Sequence, residues 1–152
     1  MVDFLVIGPI NAVMYSTIFP YIMDNKIILG YNRVGEFCDG IKFCNTNWFT
    51  SLSKKNPGFI ELSKRYDDSY VEFDNYDAIN VDRTEDIPSD YSGVMGVPIT
   101  FLEKWNKNQF YIVGLLNDGC YIDEEGLKGS NGLHMTDVDG NKKYARILIK
   151  RR

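Results

Sequence analysis

The chain has 152 residues, of which 44% are hydrophobic, 14% aromatic and 25% charged. This composition is typical of a folded globular protein and excludes an intrinsically disordered chain. The formal net charge of -4 excludes a uniformly basic surface for nucleic acid, so that function would require positive charge concentrated in one place. The C-terminus is such a place, with Lys142, Lys143, Arg146, Lys150, Arg151 and Arg152.

The first thirty residues predict a βαβ unit. Residues 4–7 form a short apolar run that ends at Gly8-Pro9, which is typical of a strand buried on both faces inside a parallel sheet. Asn11 is a candidate N-cap for a helix that reaches about Asn25 and is kinked at Pro20. Residues 26–29 predict a second strand, and a strand, a helix and a strand of this length favour parallel pairing.

The middle of the chain is predicted to be rich in turns and strands. Asp39-Gly40 indicates a hairpin turn, and residues 47–52 indicate a strand. Residues 59–93 show little periodicity and are rich in acidic residues, which predicts a long loop with a function. Further along, an apolar stretch at 94–102 precedes a strand at 110–115.

The tail of the chain predicts one more strand. Its apolar and polar residues alternate, which is typical of a half-buried strand with a basic outer face, although Leu148 breaks the pattern. The inner face would hold Ala145, Ile147 and Ile149, and the outer face Tyr144, Arg146 and Lys150.

Several kinds of site have no motif in this sequence. It contains no G-x-G-x-x-G and no G-x-x-x-x-G-K-[ST], and the spacing of Cys38 and Cys44 with the single histidine, His134, does not fit zinc. Asp137 to Asn141 is interpreted as a β-turn rather than a calcium loop. The sequence shows no signal peptide and no apolar run long enough for a membrane span, so we expect a cytoplasmic protein. No catalytic, cofactor-binding or metal-binding residue is predicted.

Several co-linear blocks together resemble the EcoRI-type adenine-specific DNA methyltransferases. In Asn47–Leu52 the resemblance departs at Ser51, where the family more usually has Asn. The most specific block is Gly93–Leu102. The complete set in chain order is Phe4–Ala12 with Tyr15 and Ile18–Pro20, Asn47–Leu52, Asp74–Ile79, Ile87–Tyr91, Gly93–Leu102 with Gln109-Phe110, and Tyr144–Ile149.

This resemblance implies an α/β fold, with the late strands of a Rossmann-like methyltransferase sheet and a β-rich, loop-rich target-recognition region. It divides the single domain 1–152 into late strands and helix at 1–52, a recognition region at 53–142 and a terminal basic strand at 143–152. Family members transfer a methyl group from S-adenosylmethionine to N6 of adenine in DNA, through a glycine-rich loop and an Asn-Pro-Pro-Phe/Tyr motif. Neither feature occurs in this sequence, so the resemblance is to the C-terminal part of such an enzyme. The part would be inactive alone, and S-adenosylmethionine would bind only to the complete enzyme.

The expected partners are double-stranded DNA and an N-terminal catalytic half, with a homodimer through an exposed sheet edge as a further arrangement. Basic candidates would contact phosphate, Asn75 or Tyr76 could approach a base, and Asn11 either caps its helix or faces the target pocket. The DNA-binding candidates are Arg33, Asn75, Tyr76, Lys104, Arg146, Lys150 and Arg151.

Two alternatives remain open from the sequence. One is a stand-alone protein-interaction module that uses the acidic residues between 67 and 90 as its binding face. The other is an independent enzyme of another class, which the missing metal, triad and nucleotide motifs disfavour.

Overall fold

The computed structural model describes residues 2–30, 32–36, 38–52, 57–118 and 120–152. The regular elements among these residues are mostly strands, with the short α-helix α1 (Phe19–Met23) and 3-10 turns at Ile10–Met14, Cys38–Gly40, Thr84–Asp86 and Ile99–Glu103. The strands are β1 (Leu5–Pro9), β2 (Ile28–Leu29), β3 (Thr46–Thr50), β4 (Glu72–Phe73), β5 (Tyr76–Asn80), β6 (Met95–Pro98), β7 (Phe110–Asn117), β8 (Cys120–Asp123), β9 (Gly126–Gly129), β10 (Asp137–Val138), β11 (Asn141–Lys142) and β12 (Arg146–Arg151). Within the described ranges, no helix is long and apolar enough to cross a membrane.

The N-terminal segments form a three-stranded sheet in the order β1-β3-β2. Both β1 and β2 pair antiparallel with β3, so they run in the same direction but are not neighbours. The prediction of directly paired parallel strands was therefore wrong, because β3 returns through the sheet and inserts between them. The strand predicted at 47–52 is confirmed as β3, one residue earlier than expected.

β1 is an edge strand and is not buried on both faces as predicted. The exposed fractions of Leu5 and Val6 are 56% and 53%. The apolar run at residues 4–7 was predicted to be buried, but no described part of this chain covers the outer side of β1.

The predicted helix from Asn11 to Asn25 is divided into two short pieces. The first is the 3-10 turn Ile10–Met14, and the second is α1, in which Pro20 occupies the first turn. A proline is tolerated in the first turn of a helix but not in its interior, so the α-helix begins just before Pro20. Asn11 is not an N-cap, since Pro9 holds that position and no side-chain capping bond forms.

Strands from the second half of the chain form a seven-stranded mixed sheet in the order β4-β5-β6-β12-β7-β8-β9. β5 and β6 pair in parallel, whereas β12 pairs antiparallel with both β6 and β7. The stretch at 59–93 is thus not a continuous loop, because β4 and β5 lie within it. Its low hydrophobic periodicity concealed two strands at the edge of the sheet.

β12 lies between β6 and β7 and is covered on both faces. Ala145, Ile147 and Ile149 belong to the main core, and Leu148 belongs to a second cluster with Phe73 and Met135. The expectation of a half-buried tail strand with an exposed basic face was therefore wrong for Arg146, which is 6% exposed. Leu148 broke the predicted alternation because the other face of the sheet also has a core.

Candidate nucleic-acid interface

A cleft lined by both polar and apolar residues, which we call the polar cleft after its charged and amide side chains, brings together Asn11, Arg33 and Arg146 of the predicted candidates. Its volume is about 440 Å³, and Ile10 and Ile99 contribute to its wall. Asn11 follows β1, Arg33 follows β2 and Arg146 begins β12, so the cleft draws on both large sheets. Its remaining polar residues were not predicted as site residues; they are Asn45, Asp82, Thr100 and Tyr144.

Arg33 is held at the cleft by a partly buried network of side-chain hydrogen bonds. Its Nε donates to Glu103 Oε1 at 2.8 Å, and Asn47 Nδ2 donates to the same oxygen at 3.2 Å. Asn47 is fully buried, and its own Oδ1 accepts from the backbone N–H of Trp48. Among the described contacts, Arg33 donates to this network only through Nε. Its two Nη nitrogens therefore remain available for an anion.

Arg146 is a buried cation at the base of the cleft. Its Nη2 donates to Asp82 Oδ1 at 3.0 Å, its Nε to Asn80 Oδ1 at 3.1 Å and its Nη1 to the Tyr144 carbonyl at 3.0 Å. Burial lowers the pKa of Arg146, and the hydrogen bond that Arg146 donates to Asp82 opposes that shift. With these three acceptors engaged, Arg146 supports the cleft wall instead of presenting its charge to solvent.

Asp82 separates this cleft from a larger one. Burial raises the pKa of Asp82, but hydrogen bonds from Asn80 and Arg146 and the charge of Lys143 outweigh it, so the pKa is lowered overall. The neighbouring cleft has a volume of about 740 Å³, and its lining includes Lys64, Arg65 and Lys143. None of these three was predicted as a site residue, although Lys143 belongs to the basic C-terminus. The fold brings Lys64 and Arg65 together with Lys143 near Asp82.

The remaining predicted residues lie outside the cleft. Asn75 Nδ2 donates to the His134 carbonyl at 3.0 Å, and Tyr76 packs edge-on against Tyr121. Burial raises the pKa of Tyr76, with a further contribution from the charge of Asp123. Lys104 is exposed after the turn at Ile99–Glu103.

Lys150 and Arg151 lie at the far end of β12 from Arg146. At about 3.4 Å per residue, the five steps from Arg146 to Arg151 span roughly 17 Å. The basic tail that is one cluster in the sequence therefore contributes to two separate places in the structure.

Many carboxylates of the acidic stretch are engaged within the chain. Asp74 accepts from the backbone N–H groups of Asp139 and Gly140 at 2.9 and 2.8 Å, and Asp86 pairs with Lys64 at 2.6 Å. Together with Asp82, these contacts leave a smaller acidic face than the sequence suggested. Among the described residues, no group of His, Cys, Asp and Glu has the arrangement of a metal site.

Comparisons with known proteins give a family for this chain. The family described as "Adenine-specific methyltransferase EcoRI" matches residues 2–152. The Type II methyltransferase M.EcoRI of Escherichia coli is 36% identical over 177 residues, with 97% of this chain and 49% of the relative covered. M.MgeORF184P of Mycoplasma genitalium is 33% identical over 182 residues, and M.MpnI of Mycoplasma pneumoniae 30% over 181.

Coverage of the two mycoplasma relatives is similar, at 98% and 99% of this chain and 57% of each relative. The chain thus spans about half the length of the curated relatives that it matches. All three alignments are longer than 152 residues, so each relative also carries inserted residues that this chain lacks. No solved structure matches the chain. The match over residues 2–152 shows that the chain belongs to the EcoRI family of adenine-specific methyltransferases.

Proposed function

We propose that this chain is the C-terminal part of an S-adenosylmethionine-dependent DNA adenine N6-methyltransferase of a restriction-modification system, acting in the cytoplasm. Its role is to contact double-stranded DNA and to complete the fold of an N-terminal catalytic half or subunit. The family match over almost the whole chain, combined with coverage of about half of each relative, carries this proposal. Since the chain has neither the glycine-rich loop nor the Asn-Pro-Pro-Phe motif, it is inactive alone.

The open edge of β1 supports the need for a partner half. Phe4 and Ile10 form backbone hydrogen bonds toward the β3 side, so by antiparallel alternation Leu5 and Ile7 point their N–H and C=O groups outward. This edge, together with the exposed Leu5 and Val6 side chains, is a template for another strand. The proposed occupant is the catalytic half, and a second copy of this chain would be the competing one.

The polar cleft supports the DNA role. Arg33 is fixed by Glu103 but keeps nitrogens for a phosphate, and Asn11 offers an amide that can donate and accept at a base edge. Arg146 acts through Asp82 and Asn80 as a positioning residue. The candidates Asn75, Tyr76 and Lys104 belong to the proposed interface outside the cleft.

Binding of fluorescein-labelled duplex DNA, measured by anisotropy at low salt, tests the cleft. We expect Arg33→Gln to weaken binding roughly tenfold, as the loss of one charge-assisted phosphate contact would. Lys26→Gln is the matched control, because it removes the same charge from an exposed pair with Asp24. Equal affinity for Arg33→Gln and the unmodified chain would contradict the role of the cleft.

A further inference from the structure

The C-terminal end of β12 gathers cations from two parts of the chain. The backbone N–H of Arg152 donates to the Gln109 carbonyl at 3.1 Å, and Arg152 Nε donates to the Lys107 carbonyl at 2.6 Å. Lys150 lies opposite Tyr111 in the β12–β7 ladder. We call Lys107, Lys150, Arg152 and Tyr111 the C-terminal basic surface. Arg151 lies opposite Phe110 and, because side chains alternate along a strand, projects from the other face of the sheet.

Tyr111 orders part of this surface. Its side chain is 38% exposed, and the guanidinium carbon of Arg152 lies 5.1 Å from the centre of its ring. This is the geometry of a cation–π contact. Directly opposed residues in an antiparallel pair share a face of the sheet, so Lys150 projects on the same side as the ring.

Several other basic residues of the chain are neutralised by a neighbouring carboxylate. Lys64, Lys128 and Lys143 each lie within 3.5 Å of a carboxylate oxygen. In the part of the chain that the structure describes, Lys107, Lys150 and Arg152 form no ion pair. On a chain of net charge -4, a cluster of unpaired cations creates a local positive potential, and this potential attracts a polyanion.

We infer that the C-terminal basic surface contacts the phosphate backbone of double-stranded DNA at a place separate from the polar cleft. This inference rests on the proposed function and adds Lys107, Tyr111 and Arg152 to it. The surface offers point charges and a ring-supported guanidinium, but no fixed pattern that would read base edges. Its contribution is therefore independent of DNA sequence and sensitive to salt.

The test is the salt dependence of duplex binding by the whole chain carrying Lys107→Gln and Arg152→Gln together. We expect affinity to fall at least about tenfold for DNA of any sequence, and the slope of log affinity against log salt to decrease by about 2. The matched control is Lys26→Gln with Lys128→Gln, which removes the same net charge elsewhere and should change neither quantity. Unchanged affinity in the test variant, or an equal loss in the control, would overturn the inference.

Tyr111 is a positioning residue in this scheme, and a pair of variants tests it. Tyr111→Phe keeps the ring face and should retain full affinity, whereas Tyr111→Leu should lose several-fold affinity with an unchanged circular dichroism spectrum. A loss with Arg33→Gln but not with Lys107→Gln/Arg152→Gln would overturn this inference and leave the proposed function standing. No binding of duplex DNA by the unmodified chain, or tighter binding to anionic lipid vesicles, would overturn both.

Discussion

At the scale of single residues, Arg146 and Asp82 depend on each other unequally. Arg146 is 6% exposed, whereas the Asp82 side chain is 57% exposed and also faces Lys143 at 3.5 Å. Removing the partner of a buried charge leaves that charge uncompensated, but removing the buried charge leaves an aspartate that water and Lys143 can accommodate.

We therefore expect Asp82→Asn to lower the free energy of unfolding by about 1 to 2 kcal/mol at pH 7, a range reduced for the exposure of Asp82. Arg146→Met, which fills similar volume, should lower it by less than about 1 kcal/mol. Urea denaturation of both variants measures this order. A greater loss for Arg146→Met would show that the guanidinium itself stabilises the fold.

The same pair has a defined pH dependence. Because the pKa of Asp82 is lowered in the folded state, its contribution is complete above its ordinary pKa and is lost as the pH falls through the lowered value. The difference in the free energy of unfolding between the unmodified chain and Asp82→Asn should thus shrink in acid. A difference that is constant from neutral pH to strong acid would contradict this assignment.

At the scale of elements, the contact between β7, β8 and β12 depends on Gly114. The β12–β7 register shifts between Leu148 and Ile149, and Gly114 lies opposite Leu148 at that irregularity. A Cβ on Gly114 would approach the carbonyl oxygen of Ile122 to 2.4 Å, and that oxygen is backbone, which cannot rotate away. The glycine therefore permits a close approach of two strands at the centre of the sheet.

Gly114→Ala should consequently lower the free energy of unfolding by about 1 to 3 kcal/mol, as overpacking in a core does. Gly129→Ala in the edge strand β9 is the control, since a Cβ there would meet no atom within 4 Å. Thermal or urea unfolding of the two variants makes the comparison. Equal stability of both would mean that the strands separate at little cost.

Sequence patterns predicted some of these elements and missed others. The strand at 47–52 was confirmed, and so was the turn at Asp39-Gly40, where both residues have positive φ and Glu36 bridges to Lys42. β4, at the edge of the sheet, and its neighbour β5 were missed because short strands in an acidic stretch lack the apolar alternation that identifies a strand. The Rossmann-like arrangement that the resemblance implied stays a proposal for the complete enzyme.

At the scale of the whole molecule, the chain spans about half the length of its relatives, and β1 forms an open edge of its sheet. A methyl donor requires a binding loop that this sequence does not contain. The DNA-facing and donor-binding functions are thus proposed to lie on different parts of the assembled enzyme.

Isothermal titration with S-adenosylmethionine should give no binding heat for this chain alone. Addition of the part of M.EcoRI that lies outside the match should produce a complex on size exclusion, and Val6→Lys at the exposed β1 surface should weaken it. Lys26→Gln controls for a remote change of charge. Donor binding by the chain alone would contradict its assignment to the half without the donor site.

The sequence by itself determined the family, because several short blocks in a fixed order are more specific than any single motif. It also determined strands whose apolar residues are continuous, such as the one at 110–115. Only the tertiary structure decided which residues share a site. Arg33, Asn11 and Arg146 meet because β1 and β2 end, and β12 begins, around one cleft. Arg146 and Arg151 are far apart because they lie at opposite ends of the extended strand β12. Burial and pairing are properties of contacts between segments distant in the chain, and local patterns do not record those contacts.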